Sequence, residues 1–141
     1  MSDQIPVSGV SELVLEVSDL ETAERFYADV LGFPVVERWQ ERGAVWVMAG
    51  PGTRIGLWLP QLGIAGGRGG SHVHYALRID DADVDAAAAR LRAAGYEPEI
   101  VTFNNDDRGR ALYVTDPDDN VVEFWTWDVS KHLKNRATTS S

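Results

Sequence analysis

The sequence predicts an α+β protein built from a β-α-β-β-β unit written twice, with eight strands in all. Three observations carry this. Segments of period-two hydrophobicity alternate with two stretches of helical spacing. The chain matches itself at fixed offsets, which must be established before a fold is assigned. A Gly-rich stretch, residues 61–70, separates the two copies and reads as a flexible connector.

Val10 to Val17 alternates cleanly. Leu13, Leu15 and Val17 share one face with Ser11, and Val10, Glu12, Val14 and Glu16 share the other. Ser18-Asp19 supplies a helix cap. Leu20, Ala23, Phe26, Tyr27, Val30 and Leu31 follow at helical spacing, and Gly32 is a stop. Phe33 to Gln40, Ala44 to Ala49 and Thr53 to Leu59 complete the first unit as strands, with Gly50-Pro51-Gly52 turning the chain. The connector has no Gly-Lys-Ser/Thr and precedes a strand, so it is not a phosphate loop.

The second unit starts with a strand from Ser71 to Ile79. Asp80 or Asp81 caps a helix carrying Val84, Ala87, Ala88, Leu91 and Ala94, stopped by Gly95. Tyr96 to Thr102 and Arg110 to Thr115 are strands flanking a polar loop, residues 103–109. Asp116-Pro117-Asp118-Asp119 is a tight turn, because Pro fixes φ and Asx side chains bond back to the backbone. The strand after it, Asn120 to Trp127, puts Val121, Glu123, Trp125 and Trp127 on one face. The predicted organisation is residues 8–60 for the first module, 61–70 for the linker, 71–128 for the second module and 129–141 for a largely disordered tail.

An offset of 62 lays Val14-Leu15-Glu16-Val17-Ser18-Asp19 on Ala76-Leu77-Arg78-Ile79-Asp80-Asp81. An offset of 67 lays Trp46-Val47 on Tyr113-Val114 and Ile55-Gly56-Leu57-Trp58 on Val122-Glu123-Phe124-Trp125. The same offsets pair Glu12 with His74, and Gly56 with Glu123. In a pseudo-twofold protein these four positions converge on one cleft. Two carboxylates and an imidazole there are chemistry for a divalent metal such as Mn, Fe, Ni, Zn or Mg, with the Gly56 place open. The competing reading has Glu12 and Glu123 as solvated residues with His74 hydrogen-bonded to one of them. His72 shares the face of His74 and reads as a rim residue; His132 lies in the tail with no assigned role.

The 141 residues include no Cys, which excludes disulfides, thiolate metal sites and a cysteine nucleophile. A net charge of −9 argues against a nucleic-acid partner and is compatible with a cationic ligand. No basic n-region with an apolar h-region opens the sequence, and no apolar run approaches membrane-spanning length. A cytoplasmic protein without a membrane partner is expected.

Val17-Ser18-Asp19-Leu20 leading to Phe26-Tyr27 and Leu31-Gly32-Phe33, then His74-Tyr75-Ala76-Leu77, then Asp116 to Asn120 leading to Glu123, resemble the vicinal oxygen chelate superfamily. That superfamily includes glyoxalase I, fosfomycin-resistance transferases, extradiol dioxygenases and bleomycin-resistance proteins. The resemblance runs from about Val10 to Asp128. It implies two βαβββ modules curled round a shared cleft, usually in a homodimer, with metal positions, where a metal is present, at Glu12, Gly56, His74 and Glu123. This chain departs from the family at two of them, with Glu12 where His or Gln is common and Gly56 where glyoxalases have Glu.

The broken ligand set, the acidic charge and the tryptophans lean toward the bleomycin-resistance type, which implies drug binding without a cofactor. The expected partner is then a planar aromatic or cationic natural product sequestered in a Trp-lined dimer cleft. Trp58, Trp125 and Trp127 would stack on it, Glu12 and Glu123 would pair with donors or a cation, and His74 would hydrogen-bond. Trp39 and Trp46 are further candidates whose strand parity also suits a core position. The alternative is a metal-dependent enzyme of glyoxalase, fosfomycin-transferase or dioxygenase type, holding one Mn, Fe, Ni or Zn on Glu12, His74 and Glu123.

Overall fold

The computed structural model describes residues 4–60, 73–103 and 108–130. The connector, His72, the centre of the polar loop and the tail beyond Ser130 lie outside the described residues. The chain divides into two compact units, residues 1–68 and 69–141. Each holds one four-stranded mixed sheet. Among the described residues, no helix is long and apolar enough to cross a membrane.

In the first unit the strands are β1 Glu12–Glu16, β2 Val35–Trp39, β3 Ala44–Met48 and β4 Arg54–Trp58, in the order β1-β4-β3-β2. β1 runs parallel to β4, and the other pairs are antiparallel. Cross-strand partners share a face, so the sheet has two chemically distinct sides. Leu15, Ile55, Leu57, Val45 and Val47 are buried on one. Helix α1, Leu20–Glu24, closes that side. Ala23 from α1 is buried with them, as are Phe26 and Tyr27 from the turn after it. Fully burying each such aliphatic or aromatic side chain contributes roughly 1.5–3 kcal/mol.

The single helix expected from Leu20 to Leu31 is instead two pieces. After Glu24 the backbone widens into a π-helix over Arg25–Val30, with the Leu31 N–H donating to the Phe26 carbonyl at 2.9 Å. Hydrophobic spacing cannot separate the two forms, because both keep Phe26 and Tyr27 inward. The Asp19 cap is real in backbone terms, and its carboxylate accepts from the Thr22 hydroxyl.

β2 contains a bulge. Val35 pairs with Val47 on the helix side, whereas Glu37 pairs with Trp46 on the open side. One extra residue reverses the parity of the strand. Arg38 is thereby sent to the helix side, where it forms a bidentate pair with Glu24 at 2.6 and 2.9 Å. Glu37 and Trp39 are sent to the open side.

The second unit repeats the plan with β5 His74–Arg78, β6 Glu99–Thr102, β7 Arg110–Thr115 and β8 Val121–Trp125, in the order β5-β8-β7-β6. Its helix α2, Val84–Ala93, follows a short 3₁₀ turn, Asp81–Asp83, and buries Val84, Ala88 and Leu91. The Asp116 turn fixes the entry to β8. Buried Asp116 accepts from the Asp118 and Asn120 amides at 2.8 and 2.9 Å and from the Asn120 side chain at 2.9 Å. Asn120 in turn accepts from the Val73 amide at 3.0 Å, tying β8 to the start of β5. Asp119 takes the left-handed φ of 67° that Asx residues tolerate.

Candidate functional site

Each module carries its candidate residues on the sheet face away from its helix. In the second module, register places His74 beside Val121, and Tyr113 beside Glu123. Glu123 is only 5% exposed. Its carboxylate meets His74 Nε2 at 2.9 Å and accepts from the Tyr113 hydroxyl. A buried carboxylate must be hydrogen-bonded to persist, and these two side chains do that. Burial, then the Glu123 charge, push the Tyr113 hydroxyl above its ordinary pKa, so it stays a neutral donor. The reading of His74 as hydrogen-bonded to a carboxylate therefore describes this module, although Glu123 is not solvated.

Further along β8, Trp125 and Trp127 lie with ring centroids 4.9 Å apart, and Phe103 flanks Trp125 at 5.5 Å. The Trp125 indole donates to the Arg108 carbonyl at 2.8 Å, and the Arg108 guanidinium sits 4.7 Å from the Trp127 ring centre. Trp125 and Trp127 are both half-buried, so part of each ring remains available to a ligand.

The first module has the same register but a different filling. Glu12 pairs with Arg54 across β1 and β4. Arg54 Nε and Nη2 both donate to Glu12 Oε1, at 3.1 and 3.0 Å, and Nη1 donates to Glu37 Oε1 at 3.0 Å. The guanidinium also lies 3.8 Å from the Trp46 ring centre, a cation–π arrangement. Around it Trp39, Trp46 and Trp58 pack edge-to-face, with centroids 5.2 to 6.0 Å apart. Trp46 is wholly buried on the open side, under Arg54 and the other two indoles, so it supports the cluster rather than presenting a ring. Trp39 and Trp58 are half-buried.

Gly56 is the position equivalent to Glu123. A Cβ there would stand 2.7 Å from both Trp46 Cζ3 and Trp58 Nε1. The missing side chain is therefore a packing requirement, and its space is filled by two indoles. Among the described residues neither Trp46 Nε1 nor Trp58 Nε1 has a hydrogen-bond partner, and both are shut off from solvent. An indole nitrogen can only donate, and leaving such a donor buried and unmet costs about 1–3 kcal/mol.

These placements bear on the metal that the resemblance implies. Glu12 has its nearer oxygen occupied by two N–H groups of a cation, and Gly56 offers neither a donor nor room for one. His74 and Glu123 are two donors engaged with each other. Within neither module do three or more His, Cys, Asp or Glu side chains gather to hold a metal, among the described residues. The donor set of the first module does not fit the group.

Three residues that organise the site escaped the sequence reading. Arg54 could have been found by alternation, since it shares its face with Gly56 and Trp58. Tyr113 could have been found as the repeat partner of Trp46. Glu37 carried no such signal, because its face depends on the bulge.

A model of the Glyoxalase/Bleomycin resistance protein/Dioxygenase superfamily matches residues 9–124. The chain is 24% identical over 132 residues to the glutathione transferase FosA of Serratia marcescens, covering 90% of this chain and 86% of that protein. Its fold matches TnmS3, an antibiotic binding protein from Streptomyces sp. CB03234, with a TM-score of 0.66 and 29% identity over 89% of this chain and 100% of that one. It also matches the fosfomycin resistance protein FosX of Listeria monocytogenes, with a TM-score of 0.72 and 21% identity over 92% and 99% of the two chains.

Proposed function

The chain belongs to the glyoxalase/bleomycin resistance/dioxygenase superfamily, and within it we propose a small-molecule-binding protein of the bleomycin-resistance type. It holds a planar aromatic or cationic natural product against its tryptophans and protects by sequestration, without a metal. One observation carries this reading. The first-module half of the family's ligand set is replaced by an arginine-capped indole cluster, with Glu12 neutralised by Arg54 and Gly56 covered by Trp46 and Trp58. The likeness to an antibiotic binding protein at 29% identity supports it.

In this reading Trp58, Trp125 and Trp127 supply ring faces. Offset stacking on each contributes about 0.5–1.5 kcal/mol beyond area burial. The carboxylates Glu37 and Glu123 bias the faces toward neutral or cationic guests. A homodimer is part of the proposal, and the exposed apolar residues Ile5, Val7 and Val10 suit a covered N-terminal arm. Sedimentation tests that element.

The deciding experiment has two arms. Chelator-treated protein is titrated calorimetrically with Mn, Ni, Zn and Fe(II), and separately screened by tryptophan quenching against a panel of planar aromatic antibiotics. Quenching by at least one compound, with affinity reduced about tenfold in Trp125→Ala, is the expected result. One tight metal site that disappears in Glu12→Ala, with no aromatic ligand, would replace this reading by a metal-dependent enzyme of the fosfomycin-resistance kind.

A further inference from the structure

The first module holds three indoles on one face, and they differ in what their N–H groups meet. Trp39 donates to Glu37 Oε2 at 2.5 Å. The Trp46 and Trp58 N–H groups meet no acceptor among the described residues and are closed to solvent. The fold does provide for this side chain elsewhere, since Trp125, the counterpart of Trp58, donates to the Arg108 carbonyl at 2.8 Å. Among the described residues the orphan donors are thus particular to the first module. Trp58 Nε1 lies over Gly56, within 2.7 Å of where a Cβ would stand, on the open side of the sheet.

We propose that the Trp58 indole N–H reads a hydrogen-bond acceptor on the bound molecule, a neutral carbonyl oxygen of a planar aromatic ketone. The inference rests on the small-molecule reading above and names the chemistry of its guest. Only an acceptor can answer a group that does nothing but donate. An anionic acceptor is disfavoured, because Arg54 is already shared between Glu12 and Glu37 and the three charges sum to −1. A cation has no lone pair to offer. A neutral carbonyl flanked by ring faces meets both conditions, and a hydrogen bond made in that dry setting is strong. Trp39 is the ring that must yield: it is half-buried and packs edge-on against both Trp46 and Trp58.

The probes are 9-fluorenone and fluorene, which share a planar skeleton and differ by a carbonyl against a methylene. Calorimetry on the wild-type protein is expected to give fluorenone an advantage of about tenfold. Trp58→Phe keeps a ring and deletes the donor, and the ratio of fluorenone to fluorene affinity should fall to near one, whatever stacking both probes lose alike. In ¹H–¹⁵N spectra of the wild-type protein, one of the five tryptophan indole resonances should move downfield with fluorenone and stay in place with fluorene. Equal binding of the two probes, or an advantage that survives in Trp58→Phe, overturns the inference and leaves the small-molecule reading intact. If Trp58→Phe does not fold, unmoved indole resonances in saturated wild-type protein overturn it as well. Failure of both probes to bind overturns the inference, while the reading beneath it stands or falls on the antibiotic panel.

Discussion

The two modules share a strand order and a register, yet they fill equivalent places with opposite chemistry. At the Glu12/His74 position, one module has a carboxylate held by a guanidinium and the other an imidazole held by a carboxylate. At the Gly56/Glu123 position, one has a gap packed with indoles and the other a buried acid. The divergence follows from their neighbours. Arg54 aligns by the same offset with Val121, so His74 has no cation beside it and turns to Glu123. Trp46 aligns with Tyr113, whose hydroxyl is the donor Glu123 needs and which Trp46 does not provide toward Gly56. A duplicated scaffold can therefore keep its backbone while each half satisfies its own charges.

The harshest way to break the contrast is to impose the second module on the first. Gly56→Glu forces a Cβ to within 2.7 Å of two indoles and takes a carboxylate out of water. It should destabilise by about 3–5 kcal/mol, read as a lower urea midpoint at unchanged slope. Less severe is Glu123→Ala, which leaves the Tyr113 hydroxyl and His74 without their acceptor. A loss of about 1.5–3 kcal/mol is expected by the same measurement. The phenolate absorbance of Tyr113 should then appear at lower pH, since the Glu123 charge and hydrogen bond that help hold its pKa up are removed.

Arg54→Ala sharpens the comparison from the other side. It frees Glu12 and Glu37 and uncovers Trp46, and about 1 kcal/mol should be lost in a salt-dependent manner. The smallest effect lies at the Glu24–Arg38 pair, a helix-to-sheet ion pair like that of Arg110 with Asp81 and Asp85 in the second module. The Arg38 hydrogen bond holds the Glu24 carboxyl below its ordinary 4.5. A depressed carboxylate pKa stabilises the fold above the unfolded value and loses that contribution as pH falls through the folded one. Arg38→Gln should therefore lower stability at neutral pH slightly and flatten its decline below about pH 4.5.

Much of this was legible in the sequence. Alternation gave the eight strands, and the offsets gave the duplication, because both are local patterns that burial of one face imposes. The Asp116 turn and the common face of Glu123, Trp125 and Trp127 followed from residue type and period. The helix at Leu20 to Leu31 was placed but not its widening after Glu24, since spacing is blind to which carbonyl accepts. The face of Trp39 is hidden from alternation by the bulge at Val36, where one inserted residue reverses parity, and the burial of Trp46 is hidden because it comes from Arg54 and its neighbouring indoles.

The sequence by itself therefore determined the family, the repeated unit and which positions are equivalent between the halves. The tertiary structure decided what each equivalent position does. Glu12 and Arg54 are 42 residues apart, and His74 and Glu123 are 49 apart. Whether such a carboxylate is neutralised, or an indole N–H is met, depends on partners that only sheet register brings within about 3 Å. Hydrophobic pattern is a property of a segment, whereas satisfaction of charge and hydrogen bonds is a property of neighbours across strands.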